Sequence, residues 1–312
     1  MSSHNHTHSD VLTFLLPSLP GPGAPGLLSI LGLTYSTTLL GNGLLLLTIC
    51  ANTYLHQPQF SLLALLATTD LGLALSMLPT ILDALWFPVP TISRDVCILQ
   101  MCCLYTISTG QSSVLLAMAL DRWLAVCHPL YYLAFFTPSR LAWTSLAFIL
   151  RATIPLLPTP LLISSCSTCN LSLPFCFPTE VLQLSCGGRG WTYLAVSLLT
   201  TVSMDIVLIT ISYCLVLWEV VKRVSPAWQH KALRTFTAHI CALLVFYGPL
   251  FVSALFPGSL PGSLVSLGLL ASPAIHPLVY GIYSHRLRRG MLGVLGCPST
   301  LRVAPRPKRS HP

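Results

Sequence analysis

Apolar residues along the chain gather into seven blocks, 27–50, 60–86, 98–120, 141–162, 191–218, 235–256 and 262–283, separated by shorter stretches where charged residues, Pro and Gly concentrate. Each block is close to the ~20 residues that carry a helix across a bilayer core. None alternates with the period of two that marks an outer-membrane strand. Helices are therefore expected, because a helix satisfies its own backbone hydrogen bonds in lipid. The predicted fold is an all-α membrane protein, a seven-transmembrane helix bundle over 27–283. A tail (1–26) precedes it, and a short basic helix and tail (284–312) follow.

Composition agrees: 54% of residues are hydrophobic and 8% are charged, against about 25% charged in ordinary globular proteins. Charge then orients the bundle through the basic residues of short loops. With the N-terminus outside, Arg122, Arg140, Lys222, Arg223, Lys231, Arg234 and seven basic residues from Arg286 to Arg309 lie in the cytoplasm, whereas Arg94 and Arg189 lie outside. The C-terminus is then cytoplasmic, and the net charge of +8 is a positive-inside signature rather than a nucleic-acid footprint. The first 26 residues lack the pattern of a removable signal peptide, so the first span is expected to direct insertion. Two glycosylation sequons, at Asn5 and Asn170, fall on the predicted outer side. His4, His6 and His8 are read as part of a polar tail, with no metal site.

Three features need an explanation within that frame. The stretch "VLLAMALDRWLAVCHPLYY", Val114–Tyr132, ends an apolar run on the pair Asp121-Arg122. A charge at the bilayer centre costs at least about 2.5 to 3.5 kcal/mol, so the pair belongs at the interface. Arg151 lies near the midplane of the fourth span, where an internal carboxylate, a backbone carbonyl or a wet crevice would have to receive it; Asp205 on the fifth is the nearest candidate in depth. Cys97, Cys166, Cys169, Cys176 and Cys186 lie on the oxidising side, an odd number whose pairing the sequence alone leaves open. Pro58, Pro79, Pro155, Pro249 and Pro277 lie in or near spans and are expected to kink them. Cys297, past the seventh span, is a palmitoylation candidate.

The segments "MALDRWLAVCHPLYY", "LHQPQFSLLALLATTDLGLALSMLPTIL", "ISYCLVL" and "KALRTFTAHICALLVFYGPL", with Gly41-Asn42 and the run Pro277 to Tyr280, resemble those of rhodopsin-like G-protein-coupled receptors, specifically vertebrate odorant receptors of the class I subgroup. The resemblance runs from about Phe14 to Arg289. It implies a plasma-membrane receptor, ciliary in olfactory neurons, that binds a small volatile odorant and activates an olfactory, stimulatory heterotrimeric G protein to raise cyclic AMP. No cofactor is implied, and the bilayer is the remaining partner. Asp121 would hold Arg122 until the sixth helix swings outward. Tyr213, Lys231, His239 and Tyr280 would take part in that switch, and Asn42, Asp70, Gln111 and His276 would form a polar core. The implied disulfides are Cys97–Cys176 and Cys166–Cys186. The implied odorant site lies between helices three, five and six: Tyr105, Ser108, Thr109 and Ser112; Ser197, Leu198 and Thr201; Tyr247, Leu250, Phe251 and Ala254.

Departures from the family pattern adjust these expectations. His276 replaces Asn in the Asn-Pro-x-x-Tyr motif, and Gln111 replaces a Glu facing Asp70, so sodium binding should be weak or absent. "SALFPGSLPG", at the outer end of the sixth helix, has no basic residue for a carboxylate ligand, which makes neutral volatiles at least as suitable as acids. An enzyme is not expected: the chain has no phosphate loop, His-Glu-x-x-His pair or nucleophile elbow. Nor does it show the internal repeats of a transporter. The remaining alternatives are a non-olfactory receptor of the same superfamily and a divergent odorant receptor that functions poorly.

Overall fold

The computed structural model describes residues 13–16, 25–132, 138–158, 168–171, 174–178, 180, 181, 189–222, 226–255 and 262–296. Among these, seven long helices appear where the apolar blocks predict them: α1 (Pro25–Ala51), α2 (Pro58–Trp86), α3 (Arg94–Cys127), α4 (Pro138–Thr153), α5 (Arg189–Lys222), α6 (Pro226–Leu255) and α7 (Gly262–Tyr283). A shorter helix, α8 (His285–Val294), follows directly, its first turn capped by the Ser284 hydroxyl accepting from the Leu287 amide. Proline shapes several boundaries. Pro58 begins α2 rather than kinking it, since the first helical position needs no amide donor. Pro155 ends α4 early, in a 3-10 turn over Ile154–Leu156, so the fourth apolar block exceeds its α-helix. Pro79, Pro249 and Pro277 lie inside helices.

Helix α3 is the central element, packed on α2, α4 and α5 and touching α6, while α7 closes the bundle between α1 and α6. Gly41 explains the close approach of α1 and α7: a Cβ there would lie 2.8 Å from Pro277 Cγ. Beside it, the buried Asn42 donates from Nδ2 to the Pro273 carbonyl at 2.8 Å. Pro277 lacks the amide that would otherwise bond this carbonyl one turn back, so Asn42 repairs the ladder. Large apolar side chains such as Leu40, Leu47, Leu82, Leu199 and Leu244 remain exposed, while Asn42, Asp70, Gln111, Asp205 and His276 are buried. This inverts the pattern of a soluble domain and suits a bundle whose solvent is lipid.

At one end of the bundle, Thr13–Leu15 (β1) lies inside the segment read from sequence as a tail, yet it forms the middle strand of a three-stranded sheet. It pairs antiparallel with β2 (Thr91–Ser93) and parallel with β3 (Thr168–Asn170). Phe14 is buried beneath the sheet with Ile92, Met101, Tyr105 and Leu171. The disulfide Cys97–Cys176 ties α3 to the segment between α4 and α5. Gln100 reinforces that tie, accepting from the Cys176 amide at 2.9 Å and donating to the Ser76 carbonyl at 2.7 Å. Asn5, Cys166, Cys186 and Cys297 lie outside the described residues, as does the side chain of Asn170.

Candidate functional site

Below the sheet, a cavity of about 90 Å³ opens between α2, α3, α5, α6 and α7. Its walls are mostly apolar, with Leu73, Leu104, Val202, Phe246 and Leu269 from the helices and Phe177 and Pro178 from the disulfide-tied loop. Helix α3 presents Tyr105, Ser108, Thr109 and Ser112, which share one face at the helical spacing, and also Gln111, expected only in the polar core; α5 presents Thr201. Ser197 and Tyr247 stand one hydrogen bond behind this wall, Ser197 on the Tyr105 hydroxyl at 3.4 Å and Tyr247 on the Ser112 hydroxyl at 2.8 Å. Phe251 does not belong to it: 49% exposed, it lies five residues beyond Phe246, about 140° around the helix. The side chains of Leu198, Leu250 and Ala254 lie outside the described residues. Sequence reasoning missed the α7 wall, Gly268, Leu269 and Ser272; Ser272 stands one turn before His276, a spacing that could have revealed it.

Behind Ser112 lies an ion pair. Arg151 on α4 donates from both terminal nitrogens to Asp205 on α5, at 2.5 and 2.8 Å, and Asp205 is fully buried. The Ser112 hydroxyl donates to the same carboxylate. Four helices thus meet in one chain, Arg151–Asp205–Ser112–Tyr247. A bidentate fork and a third donor leave neither oxygen of this buried carboxylate without a partner.

Deeper in the bundle, Asp70 accepts from Gln111 Nε2 at 2.6 Å and faces His276 Nδ1 at 3.1 and 3.0 Å from its two oxygens. Both carboxylate oxygens are therefore engaged by side chains. The residues replacing the family's Glu and Asn converge on the same acid. Asn42 bonds the α7 backbone rather than Asp70.

At the opposite end, Arg122 donates to Asp121 at 2.7 Å and, across the bundle, to Gln59 Oε1 at 2.6 Å. The Tyr132 hydroxyl completes the site by donating to Asp121 at 2.6 Å. Burial, with Asp121 beside it, pushes the Tyr132 phenol above its ordinary pKa, so it remains a donor. Neither Gln59 nor Tyr132 is legible from sequence as a partner of the pair, because both contacts depend on the packing of separate segments. Tyr213 on α5 is hydrogen-bonded to His239 on α6, and Tyr280 rests against Met118. The side chain of Lys231 lies outside the described residues. Arg122, Gln59, Met118, Phe236, His239 and Tyr280 line a cleft of about 650 Å³.

The geometry therefore comprises a small apolar cavity at one end of α3 and a charged cleft at the other. Comparison with known proteins agrees with it. A family model described as olfactory receptor matches residues 31–296. Human olfactory receptor 51L1 is 36% identical over 307 residues, covering 94% of this chain and 97% of that protein. Human olfactory receptor 51G1 is 35% identical, covering 90% and 92%, and human olfactory receptor 52K2 is 33% identical, covering 94% and 98%. The chain belongs to the olfactory receptor family of seven-helix G-protein-coupled receptors.

Proposed function

We propose that this receptor binds a small, neutral volatile molecule in the cavity beneath Phe177 and Pro178 and signals through a stimulatory, olfactory G protein to raise cyclic AMP. In this reading the sheet and disulfide face outward and the Arg122 cleft faces the cytoplasm, in keeping with the basic residues of α8 and the C-terminal tail. The observation that carries it is the enclosed cavity on α3, α5, α6 and α7 at the far end of the helix that bears Arg122. No Lys or Arg lines that cavity among the described residues, which favours a neutral ligand over a carboxylate.

Signalling follows as a population shift. A ligand biases the bundle only by binding one arrangement of α3, α5, α6 and α7 better than another. The favoured arrangement moves α6 away from α3, breaks the Tyr213–His239 bond and frees Arg122 from Asp121 and Gln59, opening the cleft to the α-subunit. The test is a cyclic-AMP assay in cells expressing the tagged chain with the olfactory G protein, with an N-terminal tag stained on intact cells. A response to a neutral odorant, abolished by Arg122→Ala with staining unchanged, is the expected result. Staining that appears only after permeabilisation would overturn the orientation, and a response untouched by Arg122→Ala would overturn the switch.

A further inference from the structure

Two polar residues on the cavity wall, Gln111 and Ser112, carry oxygens with lone pairs still to offer. Gln111 Nε2 donates to Asp70, which leaves Oε1 buried and without a hydrogen-bond partner among the described residues. The single proton of Ser112 goes to Asp205, so Tyr247 is the donor in its 2.8 Å contact with Ser112. His276 turns Nδ1 to both oxygens of Asp70, so Nδ1 carries a proton. Its Nε2 faces the Ser272 hydroxyl at 3.3 Å. Gln111 Oε1, unpartnered among the described residues, and the remaining lone pair of Ser112 are the acceptors these two residues offer a ligand.

We propose that the cavity selects a neutral ligand bearing a hydrogen-bond donor, a short aliphatic alcohol, over the ketone, ester or carboxylate of the same length. The inference rests on the cavity being the ligand site. A ketone or ester brings only acceptors and would leave these lone pairs desolvated and unmet, the situation that discriminates most strongly between otherwise similar ligands. A carboxylate meets the same lone pairs, and among the described residues no Lys or Arg lines the cavity, while both terminal nitrogens of Arg151 are held by Asp205. An ammonium would donate, but Asp70 and Asp205 are already engaged, and burying a charge without a partner is costly. An alcohol can donate to this group and accept from Ser108 or Thr201 on the same wall. A cavity of about 90 Å³ favours short chains.

The experiment measures thermal stabilisation of the purified full chain by primary alcohols and by the methyl ketones, methyl esters and carboxylates of matching length, with the cyclic-AMP assay run beside it. A ligand that binds the folded state raises the unfolding midpoint by an amount that grows with the logarithm of its concentration over its Kd, and this needs no coupling to a G protein. Alcohols are expected to stabilise at concentrations at least about tenfold lower than their ketone, ester and carboxylate partners. Gln111→Met should narrow that ratio, and Gln111→Asn, whose shorter side chain withdraws the oxygen from the wall, serves if the first does not fold. Equal or better stabilisation by ketones, esters or carboxylates, no stabilisation by alcohols, or a ratio unchanged in the variant that folds would overturn the proposal. Alcohol-selective stabilisation without cyclic AMP would uphold it and count against the signalling reading. Cyclic AMP raised by ketones or acids alone would uphold signalling and overturn this inference.

Discussion

At the scale of single residues, Arg151 is the group whose surroundings matter most. Near the bilayer midplane a lone guanidinium would strain the bundle, and Asp205 meets it with both oxygens. Removing one partner strands the other, which costs about 3 to 5 kcal/mol for a buried pair. Arg151→Leu should therefore reduce surface staining severalfold, and Arg151→Leu with Asp205→Leu should recover part of it. Unchanged staining in the single variant would contradict the pairing. Asp205 was legible as the candidate nearest in depth, but the choice between it, a backbone carbonyl and a wet crevice was made by the packing of α4 against α3 and α5. The third donor, Ser112, was not legible, because hydroxyls on an apolar helix serve packing as readily as bonding. Asp70 carries a second prediction. With Gln111 and His276 occupying its oxygens, exchanging sodium for choline should leave basal cyclic AMP unchanged. A sodium-dependent shift that disappears in Asp70→Asn would show that the cation still binds there.

At the scale of helices, contacts between elements decide what the motifs do. Gly41 reads in the sequence as half of a family motif; its physical role is to let Pro277 approach α1. An added methyl would sit 2.8 Å from a ring carbon that cannot rotate away, so Gly41→Ala should destabilise the α1–α7 contact by about 1 to 3 kcal/mol. The measurement is the thermal midpoint of the purified receptor, and an unchanged value would mean that the helices slide apart freely. The Asp121-Arg122 pair was legible as an interfacial charge site. Its tether to α2 through Gln59 was not, since a sequence does not state which helix lies opposite. Gln59→Ala should raise ligand-independent cyclic AMP by about tenfold or more, because a hydrogen bond to a charged group contributes about 1.5 to 3 kcal/mol and only the closed arrangement holds this one. Basal activity at or below that of the unmodified receptor would exclude Gln59 as a restraint.

At the scale of the whole molecule, the end bearing the disulfide is a built cap. It combines the Cys97–Cys176 bond, the Gln100 bonds and a sheet whose middle strand comes from residues near the N-terminus. Phe14 is 3% exposed, and truncating a buried Phe costs about 3 to 5 kcal/mol, so Phe14→Ala should lower surface expression. Equal staining would show the cap to be dispensable. By itself the sequence determined the membrane class, the seven helices and the pairs that must exist. Bilayer thickness sets the block length, and unpaired charges or freed backbone carbonyls in lipid demand partners. Tertiary structure alone decided where the cavity lies, that α7 and α2 help to wall it, that β1 joins the cap, and which lone pairs Gln111 and Ser112 have left. Those outcomes depend on how the helices rotate and cross, which packing across the whole bundle settles and local periodicity does not.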